Sequence, residues 1–370
     1  MLAAMSAGRT LILLAKTLSK DGAKTDPSEF PRTDLSEIIR LLNAELFNFD
    51  DVARSNHPLV KAARNRGPYW GLAMLGILHR HDFDNIYVTG EDIGMPFAVL
   101  LHATLCYGKT TVLVHHGGTP KRRVALRALG HRVWRNVLTV SERAREVLIE
   151  DVGIPSYKVH AFKQAIDEVF FQPRPTDPPG EYVFSCGRDS RDYPLLMQAA
   201  EGLPIPFRIV ASGWSAQADV REAKNVEAKS NVVVERGLTF PALRDAYARA
   251  RFAVFPLERV DYAAGVTGMC EAMAMGKAII ASASPGVAEY IRHDVSGLVV
   301  PVGDVRAMRD AIVRLWEDPA LAQQMGSRNR KWAEAEMTAT HYARRVAALF
   351  GADVLDGLQP AQAPGFIGSA

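Results

Sequence analysis

Between Arg251 and Ala281 the chain spells out strand, loop, helix, strand, and this segment constrains the fold more than any other. Arg251 to Pro256 (RFAVFP) is an apolar run of strand length, and Asp261 to Gly265 reads as the loop after it. Glu271 to Met275 (EAMAM) consists of strong helix formers. Gly276 suits the position just past a helix end, and Ala278 to Ala281 reads as a short buried strand. The loop Gly265-Val266-Thr267-Gly268 therefore lies at a helix N-terminus. Unpaired N–H groups and the helix dipole favour a phosphate there. Glu271 follows Thr267 by four residues, about 6 Å along the helix axis on the same face. That offset suits a carboxylate holding ribose hydroxyls while the loop holds the diphosphate of one nucleotide. A glycine turn followed by a Glu that merely complements the dipole fits the same residues.

The rest of the chain repeats the alternation. Thr10 to Ala15, Asn85 to Thr89, Thr110 to His115 and Val137 to Val140 read as strands. A helix is expected to start near Thr33 or Asp34 with Glu37 behind it, another over Pro96 to Tyr107, and a third over Glu142 to Asp151 behind a Ser141 cap. Strands alternating with helices predict an α/β fold with parallel sheets. Phe171 to Gly180 (FQPRPTDPPG) is a proline-rich linker, after which the alternation resumes at Tyr182. Two doubly wound halves joined this way enclose a cleft at the carboxyl ends of their strands. Helices follow over Val305 to Trp316, Pro319 to Glu336 and His341 to Phe350.

These segments resemble the GT-B glycosyltransferases, in particular the retaining family 4 (glycosyl transferases group 1). Glu271 to Ile280 follows that family's Glu-Ala-Met-Ala-x-Gly-x-Pro-Val-Ile, with Lys277-Ala278 in place of x-Pro. Gly187-Arg188 after the strand Tyr182 to Cys186, Gly286-Val287-Ala288-Glu289-Tyr290-Ile291 and Gly297-Leu298-Val299-Val300-Pro301 match further motifs in the family's order. Val140-Ser141-Glu142 and Gly153-Ile154-Pro155 to Ile166-Asp167 look like its inter-domain segment. The resemblance covers roughly Val112 to Phe350 and is strong in the C-terminal half.

It implies a GT-B architecture: an acceptor-binding Rossmann-like domain over 1–172, a sugar-nucleotide domain over 173–336, and a helix near 337–350 crossing back onto the first. Residues 351–370, rich in Gly, Ala, Pro and Gln, read as a loose tail. It further implies a glycosyltransferase that uses a UDP- or GDP-sugar, retains configuration, and needs no cofactor or metal. Gly187, Leu238, Gly265, Val266, Thr267 and Glu271 are the nucleotide-binding residues that follow, with Arg188 on the donor phosphates. The family's Lys five residues after that Arg is Tyr193 here, so Arg191 is the candidate replacement cation. Pairing of Arg188 with Asp189 or Asp192 is the ordinary alternative. His116, at a strand end before Gly117-Gly118, corresponds to a family His close to the donor sugar, and His115 should point the other way. The family's second Glu, eight residues before Glu271, is Ala263, so a carboxylate that normally touches the donor sugar is missing. A GT-B sugar-nucleotide epimerase and a non-catalytic nucleotide-sugar-binding relative are the alternative readings.

Composition sets outer limits. At 370 residues, 48% hydrophobic and 23% charged, the chain can bury two cores. Cys106, Cys186 and Cys270 fit no metal spacing and imply a reducing compartment. Neither a leader nor a stretch of ~20 apolar residues is evident, so a cytoplasmic location is expected. A net charge of +3 gives no argument for nucleic acid. Charge is concentrated over 121–145, where Lys121, Arg122, Arg123, Arg127, Arg132 and Arg135 alternate with Val124, Leu126, Leu129, Val133 and Trp134. A basic helix over 121–135 could lie on the anionic inner face of the cell membrane, near an acceptor glycan or glycolipid, or simply be a solvated face.

Overall fold

The computed structural model describes residues 8–16, 26–115, 120–174, 180–211, 230–260, 262–287 and 289–352. It contains two six-stranded sheets, and every strand pairing is parallel. The first sheet holds β1 (Thr10–Leu13), β2 (Glu45–Phe47), β3 (Asn85–Val88), β4 (Thr110–Leu113), β5 (Trp134–Thr139) and β6 (Val159–Ala161), in the order β2-β1-β3-β4-β5-β6. The second holds β7 (Tyr182–Cys186), β8 (Phe207–Val210), β9 (Val232–Glu235), β10 (Ala250–Phe255), β11 (Ala278–Ser282) and β12 (Gly297–Val300), in the order β12-β11-β10-β7-β8-β9. The order reverses beside β1 and beside β7, so each sheet has a switch point where loops splay apart at the carboxyl edge.

The helices of the first half are α1 (Asp34–Leu42), α2 (Phe49–Arg54), α3 (Pro58–Arg64), α4 (Pro68–His79), α5 (Glu91–Ala103), α6 (Pro120–Ala125), α7 (His131–Val133) and α8 (Glu142–Glu150). Those of the second half are α9 (Tyr193–Ala200), α10 (Phe240–Arg249), α11 (Val266–Ala274), α12 (Val305–Glu317), α13 (Pro319–Glu336) and α14 (Ala339–Leu349). Central strands are buried on both faces, as parallel strands between helix layers must be: Phe252, Ala253, Val254 and Phe255 of β10 are all fully buried. The last helix, α14, packs on α1 through Tyr342, Ala343 and Val346, in one cluster with Ile12, Ile38, Tyr87 and Leu138 of the first half.

Several elements depart from the sequence reading. Helix α11 begins at Val266, five residues before the expected start, so Thr267 and Glu271 both lie on it. Helix α5 likewise starts at Glu91 and carries Pro96 inside it. Helix α1 is capped by Thr33, but its capping-box partner is Ser36, while Glu37 pairs with Arg40 at 2.8 Å. The basic helix expected over 121–135 is broken: α6 passes into a wide helical turn at Leu126–Gly130, then α7, and the chain is already in β5 at Trp134. Leu126, Val133 and Trp134 are core residues and face inward, while Val124 is exposed. Arg123 pairs with Asp151 at 2.7 Å. The centre of the proline-rich linker (175–179) and most of the expected tail (353–370) lie outside the described residues.

Candidate active site

Two turns at the carboxyl edge of the second sheet build the site. The first follows β7. Gly187 has φ +108, a conformation open to glycine at little cost, and its N–H is bonded to Val210 of the neighbouring strand. Behind it the buried Tyr193 donates its hydroxyl to the Gly187 carbonyl at 2.7 Å. Arg191 folds under the turn: Nε donates to the Cys186 carbonyl (3.0 Å), Nη1 to the Asp189 carbonyl (2.8 Å), and the guanidinium lies 5.6 Å from the centre of the Phe255 ring. Arg188 is exposed and forms no ion pair among the described residues. Asp192 is occupied as the cap of α9, and Asp189 by Tyr262.

The second turn follows β10 and ends at Gly265, whose φ of +79 starts α11 without any side-chain cap. The first-turn N–H groups and dipole of this helix therefore point into the same space as the Gly187 turn. Arg191 reaches it as well, since a Cβ added to Gly265 would stand 3.1 Å from Nη1. A fixed positive charge thus sits between the two turns.

One turn further along α11, Glu271 is 6% exposed. Its Oε2 lies 3.0 Å from the Tyr247 hydroxyl, which also lies 3.0 Å from the Gly268 carbonyl and 2.9 Å from Cys186 Sγ. That hydroxyl has one proton for three neighbours. If it goes to Glu271, the carboxyl is an anion; if to Gly268, Glu271 is best protonated. Burial pushes the Glu271 carboxyl up to about 7, against weaker pulls from Tyr247 and Arg191, so both arrangements lie near neutrality. The same burial pushes the Cys186 thiol up to about 12, which leaves it protonated.

The two turns and α11 border one cleft of ≈ 480 Å³, a size that suits a small ligand. Its walls bring together Gly187, Arg188, Arg191, Leu238, Gly265, Val266, Thr267 and Glu271. His116 lies outside the described residues, as does Asp261. His115, expected to point away, is exposed and lines the cleft, with its backbone N–H held by Glu91 at 3.0 Å. Val140 and Gln164 bring the first half of the chain to the same space. Sequence reasoning gave no part in ligand binding to Tyr247, Tyr262 or Asp189, because their side-chain contacts join positions 21 to 73 residues apart and leave no local pattern.

Glu289 and Tyr290 tie the halves together beside the cleft. The Glu289 carboxylate accepts from the backbone N–H groups of Glu142 (2.6 Å) and Arg143 (2.9 Å), capping α8 from across the chain. The Tyr290 hydroxyl donates to Val140 (2.7 Å) and accepts from Gln164 N–H (2.9 Å). Lys163 donates to the Glu289 carbonyl at 3.0 Å. Among the described residues no group of three His, Cys, Asp or Glu could hold a metal ion, and no helix is long and apolar enough to cross a membrane.

Residues 191–318 match the family described as Glycosyl transferases group 1. The O-antigen chain mannosyltransferase C of Escherichia coli is 29% identical over 148 residues, 40% of this chain and 39% of that protein, so the match spans less than half of the relative. A GDP-mannose-dependent alpha-(1-6)-phosphatidylinositol monomannoside mannosyltransferase of Mycobacterium tuberculosis is 24% identical over 325 residues, covering 78% of this chain and 82% of the relative. The structure of Anabaena HepE in complex with UDP-glucose superposes with a TM-score of 0.70 at 15% identity, over 93% of this chain and 99% of that one. Sucrose-phosphate synthase from Thermosynechococcus elongatus gives 0.71 at 16% identity, over 93% and 98%. At these identities the two structures speak for the fold, which is GT-B.

Proposed function

We propose that this chain, whose residues 191–318 match the group 1 glycosyl transferases and whose fold is GT-B, moves a sugar from a nucleoside-diphosphate donor to an acceptor hydroxyl with retention of configuration. The observation that carries the reading is the meeting, in one cleft, of an uncapped helix N-terminus, two arginines and a buried carboxyl one turn along the same helix. The N-terminus of α11 holds the diphosphate, and Glu271 holds the ribose. Arg188 and Arg191 bind phosphate oxygens and stabilise the charge that grows on the leaving diphosphate. That work needs no metal, so activity should survive a chelator. For His116 the resemblance alone implies a role near the donor sugar.

With no carboxylate pair suited to a double displacement among the described residues, attack by the acceptor on the face the diphosphate leaves is the scheme that fits, the phosphate taking the proton. Two relatives named as mannosyltransferases, one of them as GDP-mannose-dependent, support a hexosyl donor. The acceptor is a glycan or glycolipid approached from the first half of the chain. An anionic membrane would be met by what the fold leaves exposed of the basic stretch, Val124, Arg127, Arg132 and Arg135, and binding to anionic vesicles should fade as salt rises.

Incubation with UDP- and GDP-sugars tests the whole reading. Transfer, or slow donor hydrolysis, with an α-configured donor giving an α-linked product is the expected outcome. Epimer formation, or binding of a sugar nucleotide with no turnover, would overturn it. The second of these has its own support in the structure, because Tyr193 fills the place of the family's lysine with a buried phenol.

A further inference from the structure

We propose that Asp189, held in place by Tyr262, is the group that recognises the hydroxyls of the donor sugar and that it selects a neutral sugar over a uronic acid; this rests on the nucleotide-sugar reading above. Ala263 brings only a methyl group to the wall of the cleft. Its neighbour Tyr262 reaches across to the turn after β7, where its hydroxyl lies 2.8 Å from Asp189 Oδ2 and 2.7 Å from Ser190 Oγ. A carboxylate only accepts, so Tyr262 must donate to Asp189, and Ser190 must donate to Tyr262. Burial raises the Tyr262 phenol above its usual range, which keeps that proton in place at neutral pH. The order Ser190 to Tyr262 to Asp189 is thereby fixed.

The backbone beneath is fixed too. Ser190 has φ +53, unfavourable for a residue with a side chain, and its carbonyl is pinned by Glu258 N–H at 3.0 Å. Asp189, Tyr262 and Ala263 all line the cleft, while Asp189 Oδ1 makes no hydrogen bond among the described residues. The chemistry around them is divided. Arg188, Arg191 and the α11 N-terminus attract anions, whereas a carboxylate repels them and accepts from neutral hydroxyls. A nucleoside diphosphate carrying a neutral sugar presents both kinds of group in one molecule. A second carboxylate on the sugar would face Asp189 as a like charge and be rejected.

The alternative is that Asp189 only ties the 257–264 loop to the β7 turn. Calorimetric titration of the full chain with UDP, GDP, UDP-glucose, GDP-mannose and UDP-glucuronate separates the two. Asp189→Asn should leave the affinity for the bare diphosphate within about twofold and weaken the preferred neutral sugar nucleotide by about tenfold, the cost of one charge-assisted contact. It should also narrow the gap to UDP-glucuronate. Tyr262→Phe should keep diphosphate affinity and lose part of the sugar's increment, because the carboxylate is no longer aimed. An Asp189→Asn protein that loses diphosphate and sugar-nucleotide affinity in equal proportion, or loses neither, overturns the proposal. A wild-type protein that binds none of the five overturns the reading of the cleft itself.

Discussion

At the scale of single residues the site depends on where its charges are held. Arg191 is bound by two carbonyls, not by an acid, so its charge is oriented and stays available to an anion. Arg188 is exposed at the mouth. If Arg188 acts chiefly on the leaving diphosphate, Arg188→Ala should lower kcat by about a hundredfold with a much smaller change in donor KM, as steady-state kinetics will show. Arg191→Ala should lower kcat less but also destabilise the fold, since its guanidinium ties Cys186 to Asp189. Glu271 carries a pH signature. Its carboxyl is raised in the folded protein, so it supports stability below the unfolded value near 4.3. That support is lost as pH climbs towards about 7, by at most ~1.4 kcal/mol per pH unit. Glu271→Gln should therefore flatten the fall in unfolding free energy of the ligand-free protein between about pH 4.5 and 7. Urea titrations across that range check this, and parallel wild-type and variant curves would show that the carboxyl titrates normally.

At the scale of elements, the pairing of Glu289 with the start of α8 is a helix cap supplied from the other half of the chain. Burial raises this carboxyl as well, and two N–H groups with a helix dipole oppose that shift. Glu289→Ala should cost about 1–2 kcal/mol, the range for a lost N-cap, and should raise KM for the acceptor, because Val140 and Gln164 are held by the adjacent Tyr290. Denaturation together with acceptor kinetics tests this; unchanged values in both would reduce the pairing to a surface contact. Elements were legible where burial is uniform. β7, β10 and β11 are apolar and buried along nearly their whole length, and α13 starts at Pro319 as expected. Edge strands were not: β2 is three residues long, and Val233 of β9 is 58% exposed. The stretch 121–135 misled because interleaved arginines and apolar residues suit an amphipathic helix, whereas Leu126, Val133 and Trp134 enter the core of the first half and Trp134 opens a strand.

At the scale of the molecule, two parallel sheets present their carboxyl edges to a shared cleft, and α14 returns to pack beside the first. The side of the cleft proposed to hold the nucleotide was legible as structure, because Gly187, Gly265 and Glu271 belong to local turn and helix signals. The side proposed to hold the sugar was not, because Asp189 meets Tyr262 only after the chain has folded. The measurement that bears most directly on the account is the affinity of the wild-type and Glu271→Ala proteins for UDP and GDP, taken with a melting curve of each. The account predicts that wild type binds at least one of them, and that the variant binds it tenfold or more weakly, about 1.4 kcal/mol, while remaining folded. A folded Glu271→Ala protein with undiminished affinity would contradict it.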